Sequence, residues 1–392
     1  MKNRLLTIFA LIFTIQTYAQ SSIDSVLEQI SRNNKTIQAS MQLMEAEMLE
    51  HRTRLRPENP SLEYDYLEGS PANKGVQHEF TAAQTFEFPT SYIKKSQLSK
   101  ERSALSEIEA KTSRQDILLE AKKLCLELVF RNKLQKQLTE QKENTEKVLR
   151  DFQKKLDKGE GNILDLNKAR LQLIEVRKQY QENYSAINMG QQRLESFNGG
   201  NKILFNDTVY PLHSAVPTFD VLESEYEKND PVRMMLEQER VVAQKQLELN
   251  KALWLPKLKA GYRYQGIERA DFHGIHTGVT IPLWENNKTI KMQKAKIVYA
   301  DLEIEDHRIE HFYEISQWYE NYLNLKLTLD DYQNVFASLN STTLLNKALN
   351  LGEISTIEYF MEMNYYYNSS LSFLEVEKEM YMVLADLYKY KL

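Results

Sequence analysis

Two long spacings occur twice in this chain, and they restrict its fold more than any other feature. Asp24 of DSVLE stands 36 residues before Pro60, and Asp220 of DVLE stands 36 residues before Pro256. Each proline opens a stretch that alternates apolar and polar residues, NPSLEYDY in the first half and LPKLKAGYRY in the second. Each stretch closes on an apolar-proline step, Phe88-Pro89 and Ile281-Pro282. From those prolines to Gly159 and Gly352 the distance is 70 residues in both halves. Only the segment between the paired prolines differs, by three residues. Matched spacing on this scale marks one structural unit used twice, so every reading of one half must also hold for the other.

The alternating stretches read as strand pairs. Leu62, Tyr64 and Tyr66, then Phe80, Ala82, Gln84, Phe86 and Phe88, share one face, while Glu63, Asp65, Glu79, Thr81, Thr85 and Glu87 share the other. In the second copy Leu258, Ala260, Tyr262 and Tyr264 alternate with Lys257, Lys259, Gly261 and Arg263. Ile275, Thr277, Val279 and Ile281 likewise alternate with His276, Gly278 and Thr280. A period of two places successive side chains on opposite faces, and runs of about 9–11 residues suit a tilted strand crossing a bilayer. Tyr64, Phe86, Phe88, Tyr262 and Trp284 sit where an interfacial aromatic girdle belongs; in a soluble sheet they would be core.

The rest of the chain reads as helix. From Ser91 to Lys158 there is neither proline nor glycine, and a helix of that span is about 100 Å long. Ile117, Ala121, Leu124 and Leu128, then Val148, Phe152 and Leu156, recur at helical spacing. After the Gly159 break, Ile163, Leu166, Ala169, Leu173, Val176 and Tyr180 do the same. Trp318, Tyr322, Leu325, Leu329, Tyr332, Phe336 and Leu339 keep a 4-3 alternation, the stripe of helices packed lengthwise as coiled coils. The last helix carries Ile354, Ile357, Phe360, Asn364, Tyr367, Leu371 and Leu374.

Residues 1–19 read as a signal peptide: Lys2 and Arg4, an apolar run from Leu5 to Ile15, and Thr17-Tyr18-Ala19 before the cleavage point. Cys125 is the single cysteine, which excludes a disulfide scaffold and fits a small apolar residue inside a helix. A formal net charge of -5 argues against a nucleic-acid partner. Twelve glycines and nine prolines in 392 residues are too few for several compact domains and suit long helices. The expected organisation is a first repeat, 20–217, with strand pair 61–88, long helix 91–158, return helix 162–197 and equatorial link 198–217. A second repeat, 218–392, follows with strand pair 256–282, long helix 285–350 and return helix 354–390.

Competing motifs carry less. His307-Arg-Ile-Glu-His311 spells H-x-x-E-H, a zinc-hydrolase pattern that puts two imidazoles on one helix face, but no partner acid follows from the pattern. Solvated or packed helix histidines are the plain reading, and His273 and His276 fall in the strand-pair loop and strand. Met234, Met235, Met361 and Met363 read as seam packing rather than soft-metal ligands, and Tyr365 to Tyr367 as helix packing. No phosphate loop, nucleophile elbow or catalytic cluster is present, so neither catalytic residue nor cofactor nor metal is expected.

Four strands with an apolar outward face cannot stand alone in hydrocarbon, where each unpaired edge group costs several kcal/mol, roughly. Either the strands are an ordinary soluble sheet, or several chains pool them into a closed barrel, and the long helices favour the second. The helical stripes need partners too, and shared closure of both parts makes a tube. With its doubled order of helix, strand pair, long helix, glycine turn and helix, the chain resembles the TolC family of outer membrane efflux proteins across its whole mature length. The residues that carry the likeness are Pro60, Pro256, Phe88-Pro89, Ile281-Pro282-Leu283 and the tips at Gly159 and Gly352.

The resemblance implies a mainly α fold with a membrane β-barrel part. It implies a homotrimer with four strands per chain in a twelve-stranded barrel, and long coiled-coil helices forming a periplasmic α-barrel. Such a protein sits in the cell outer membrane, contacts its lipid, and is the passive outer channel of a tripartite efflux or secretion system. Its partners are a periplasmic adaptor and an inner-membrane pump such as an RND or ABC transporter. The resemblance also implies adaptor-docking tips at Gly159, Glu160, Gly352 and Glu353. Family members narrow the periplasmic mouth with acidic side chains two turns past the tip glycine, which maps onto Asp165 and Glu358; the plain reading is solvated helix-face charge. The family's second acidic position falls on Met361. Two other functions fit parts of the sequence: an exported coiled-coil scaffold or adhesin without a pore, and an exported zinc hydrolase using His307 and His311.

Overall fold

A computed structural model describes residues 22–71, 75–213, 215–268, 270–338 and 341–392. The expected signal peptide, 1–19, and Leu339 of the expected stripe lie outside the described residues.

Helices α1 (Ser22–Asn33) and α2 (Lys35–Thr53) lead into strands β1 (Ser61–Glu68) and β2 (Val76–Phe86). The chain then runs the length of α3 (Pro89–Asp157) and returns along α4 (Ile163–Phe197). The same order follows: α5 (Phe219–Asn229), α6 (Pro231–Ala252), β3 (Lys257–Ile267), β4 (Ala270–Thr280), α7 (Thr289–Ser338), α8 (Ser341–Leu351) and α9 (Thr356–Leu387). Two features depart from unbroken helices before each strand pair. Asn34 interrupts the first, accepting the Ile37 N–H at 3.0 Å as a helix cap. Asp230 interrupts the second, taking the Val232 and Arg233 N–H groups ahead of Pro231, a helix start with proline at its first position. A third departure is that α7 begins at Thr289 rather than 285, after a turn in which Lys288 has φ of 65°.

All four strands form one antiparallel sheet in the order β1-β2-β3-β4. The register aligns Leu62 with Ala82, Tyr262 and Ile275 across the sheet, and Tyr64 with Phe80, Tyr264 and His273. Both runs therefore pool their apolar residues on the same face, as period-two reading requires. His273 lies within β4 and not in a loop.

The helices are held by seams. At mid-height, Ile23, Val26, Leu27 and Ile30 of α1 pack on Leu118, Ala121, Cys125 and Val129 of α3, with Leu194 of α4 and Phe205 of the following link. Cys125 is fully buried there, and burial pushes its thiol up to about 12. A second seam joins Leu222 and Tyr226 of α5, Ile315, Tyr322 and Leu329 of α7, and Met380, Leu384 and Leu387 of α9. Farther down, α3 meets α9 twice: Phe130, Leu134 and Leu138 against Leu374, then Val148 against Tyr359, Met363 and Tyr367. Leucine-sized side chains buried at these positions each contribute about 1.5–3 kcal/mol relative to exposure. At the start of α9 the seam runs through Thr356, Tyr359, Met363 and Tyr367, while Ile357 is exposed.

Candidate functional site

Three places carry the chemistry this chain offers: the sheet faces, the helical tips, and the cluster made by the H-x-x-E-H segment.

One sheet face is apolar and bare. Leu62 is 72% exposed and Ile275 87%, with Tyr64, Phe80, Tyr262 and Val279 also exposed. A solvated sheet would hide such a row. The opposite face is charged and internally paired. Arg263 binds Glu79 across β3 and β2, Lys259 reaches Glu63 at 3.8 Å, and Lys257 lies 3.7 Å from Glu58 and 3.9 Å from Glu285. β1 and β4 are the two ends of the sheet, each with one edge unpaired among the described residues. Among those residues no helix is long and apolar enough to cross a membrane.

The two tips are built alike. Gly159 and Gly352 each have φ of 74°, a left-handed conformation that glycine adopts without strain. The Glu160 N–H reaches back to the Lys155 carbonyl at 2.9 Å, and the Glu353 N–H to the Ala348 carbonyl at 3.0 Å. The Gly159 and Gly352 N–H groups bond to Leu156 and Leu349. These are paired Schellman closures. Three residues on, Asn162 and Ser355 cap the return helices through the Leu164 and Glu358 N–H groups. Asp165 and Glu358 therefore share the third position of their helices, which is the physical content of their equal offset from the glycines. Their side chains differ. Asp165 is half-buried, 3.9 Å from Lys168. Glu358 folds back to accept the Ser355 N–H at 2.7 Å in a full capping box. That bond holds its carboxyl below the usual range. Met361 is exposed and Met363 buried.

His307 and His311 are one turn apart on α7 with rings stacked at 5.1 Å. Both point at Asp230: His307 Nε2 lies 2.6 Å and His311 Nε2 3.9 Å from its Oδ2. Asp230 is the partner acid that sequence spacing did not disclose. It is only 3% exposed. Burial alone would raise its carboxyl, but the hydrogen bond from His307 and the neighbouring imidazoles hold it below its ordinary value. The same hydrogen bond lifts His307 above its own. Tyr226 packs edge-on against His311 at 4.6 Å. Among the described residues Glu310, the acid between the histidines in H-x-x-E-H, makes no hydrogen bond or ion pair and acts on His307 only through its charge. Among the described residues no group of three or more His, Cys, Asp or Glu is arranged to hold a metal ion. The segment clamps the break between α5 and α6, a structural job the zinc pattern did not suggest.

No protein-family model and no curated protein matches the chain. Solved structures do. The CusC transmembrane channel superposes with a TM-score of 0.79 at 14% identity, covering 95% of this chain and 92% of that one. The Campylobacter jejuni CmeC outer membrane channel gives 0.73 at 16%, covering 94% and 85%. The Vibrio cholerae outer membrane protein VceC gives 0.74 at 12%, covering 93% and 94%. Over nearly its whole length, then, this chain has the fold of the TolC-like outer membrane channels that its doubled spacing resembled.

Proposed function

We propose that the chain is one third of an outer membrane duct, passive and without chemistry of its own. What carries this reading is the sheet: four strands, both edges open, apolar on one exposed face and ion-paired on the other. Such a sheet is stable in lipid only when copies close it. Three copies would give twelve strands, with the paired face of Glu63, Glu79, Lys259 and Arg263 lining the lumen. The two repeats, 20–217 and 218–392, would each supply one hairpin and one helical pair to the wall, with the helical body in the periplasm.

The tips at Gly159-Glu160 and Gly352-Glu353 are the candidate contacts for a periplasmic adaptor, itself joined to an inner-membrane pump. The likeness of fold and the exposure of both turns support that assignment. Asp165 and Glu358, in the first turns of the return helices, are the candidate narrowing of the periplasmic mouth. Three copies of each would favour cations over anions.

Two measurements test the reading. Purified mature protein should run as a heat-labile trimer and give single-channel steps in a planar bilayer. D165N with E358Q should lower cation-over-anion selectivity while leaving the trimer intact. A detergent-independent monomer that keeps its β signal, with no conductance, would end the proposal.

A further inference from the structure

Immediately below the sheet, where three helices feed the strands, a cleft of about 380 Å³ opens between the C-terminal end of α2, the first turns of α3 and the last turns of α6. Its ionisable lining is basic, with His51 and Arg54 from α2 and its end and Lys95 and Arg102 from α3, beside the neutral Ser99 and Gln246. No carboxylate lines it, and its remaining walls include Leu98 and Leu249. Lys95 and Arg102 stand about 9 and 20 Å along α3 from Pro89, at a rise of ~1.5 Å per residue.

The charges here are only partly answered. Arg54 pairs with Glu50, and Lys95 pairs with Glu87 at 2.7 Å. Among the described residues Arg102 forms no ion pair, and its guanidinium donates to the Gln246 side-chain oxygen at 2.9 Å. His51 Nδ1 is buried, with no hydrogen-bond partner among the described residues. Burial and then the like charge of Arg54 depress the Arg102 guanidinium, with Glu50 opposing. Burial, then Arg102 and Arg54, depress His51, with Glu50 and Glu47 opposing. Arg54 and Arg102 repel one another across the cleft, and an anion between them would relieve that repulsion.

We propose that the His51–Arg54–Arg102 cleft is a binding site for a phosphate group. Arg102 supplies a planar fork suited to two phosphate oxygens. Arg54 adds charge at the rim, and His51 forms part of the same wall. The leucine walls and the nearness of the sheet suit the phosphate of a membrane phospholipid with its first carbons on the apolar side. Free inorganic phosphate is the other source. The lipid source rests on the membrane reading of the sheet; the phosphate chemistry does not.

The test uses the mature trimer in detergent, incubated with phosphatidylglycerol, with diacylglycerol of the same chains, or with inorganic phosphate, and read by native mass spectrometry and thermal midpoint. The expected result is one phosphatidylglycerol retained per chain, no retained diacylglycerol, and affinity about tenfold weaker in R102Q, the effect of losing one charge-assisted hydrogen-bonded pair. R54Q, on a more exposed side chain, should weaken binding less and guards against a folding defect in R102Q. Inorganic phosphate stabilising wild type but not R102Q, with no lipid retained, would keep the phosphate site and overturn the lipid source. Equal behaviour of wild type, R102Q and R54Q toward all three probes would overturn the site. Bilayer conductance of the same samples separates that failure from failure of the channel reading.

Discussion

Asp230 works at both ends of its carboxylate. It caps α6 through two backbone N–H groups and holds His307 across 77 residues of sequence. Its carboxyl is held low in the fold, so its contribution is present above about pH 3.9, the unfolded value, and fades as pH falls through the lower folded one. His307 is held high, so its contribution is complete below about pH 6.5 and is lost as pH rises through the raised folded value. The clamp is strongest between those limits. Replacing Asp230 by Asn keeps a competent cap but removes the charge. D230N should cost about 1–3 kcal/mol near pH 6, the range for a hydrogen bond to a charged group. The cost should shrink at pH 8.5, as seen in thermal midpoints at the two values. An equal loss at both would mean that the cap, not the imidazole pair, is what Asp230 supplies. His307 and His311 were visible in the sequence as a face of one helix. Asp230 was visible only as the residue before Pro231, and nothing in linear spacing joins the two.

At the scale of elements, the tips turn on glycine. A Cβ at Gly159 or Gly352 would meet nothing within 4 Å, so the cost of alanine is conformational alone, about 1–2 kcal/mol for an L-residue held left-handed. G159A and G352A should each lower the unfolding free energy by that amount in chemical denaturation, and unfold from the tip first in hydrogen exchange. Gly261 is different. A Cβ there would sit 2.3 Å from the Ala82 carbonyl oxygen and 2.8 Å from Ala83 Cβ, so G261V should disrupt the β2–β3 pairing and abolish trimer recovery from membranes. The strand faces were legible because a period of two has only two phases. The start of α9 was harder. Apolar and aromatic residues there surround the helix, and the phase is chosen by which of them meets Val148 of α3. Tyr359 and Met363 win that contact, and Ile357 faces out.

At the scale of the molecule, a long thin chain has little interior of its own, and its stability is a sum of seams. In the proposed trimer the open edges of β1 and β4 gain hydrogen-bonding partners from neighbouring copies, so association and folding are expected to be linked. Diluting the proposed trimer in mild detergent should lower its thermal midpoint, a concentration dependence that a self-sufficient monomer lacks. The duplicated plan was readable because both halves keep the same distances between prolines and glycines. What no distance could give was how the halves meet, since the α3–α9 contacts join residues from opposite ends of the chain.

The lone thiol, walled in at mid-height by α1 and α3 and barely acidic, is silent toward alkylating reagents while the fold persists. A cysteine engineered at Gly159, Glu353 or either sheet edge would then be the chain's one labelling handle. Cross-links or dyes placed there report subunit contacts without background, and the native thiol answers only once the waist comes apart.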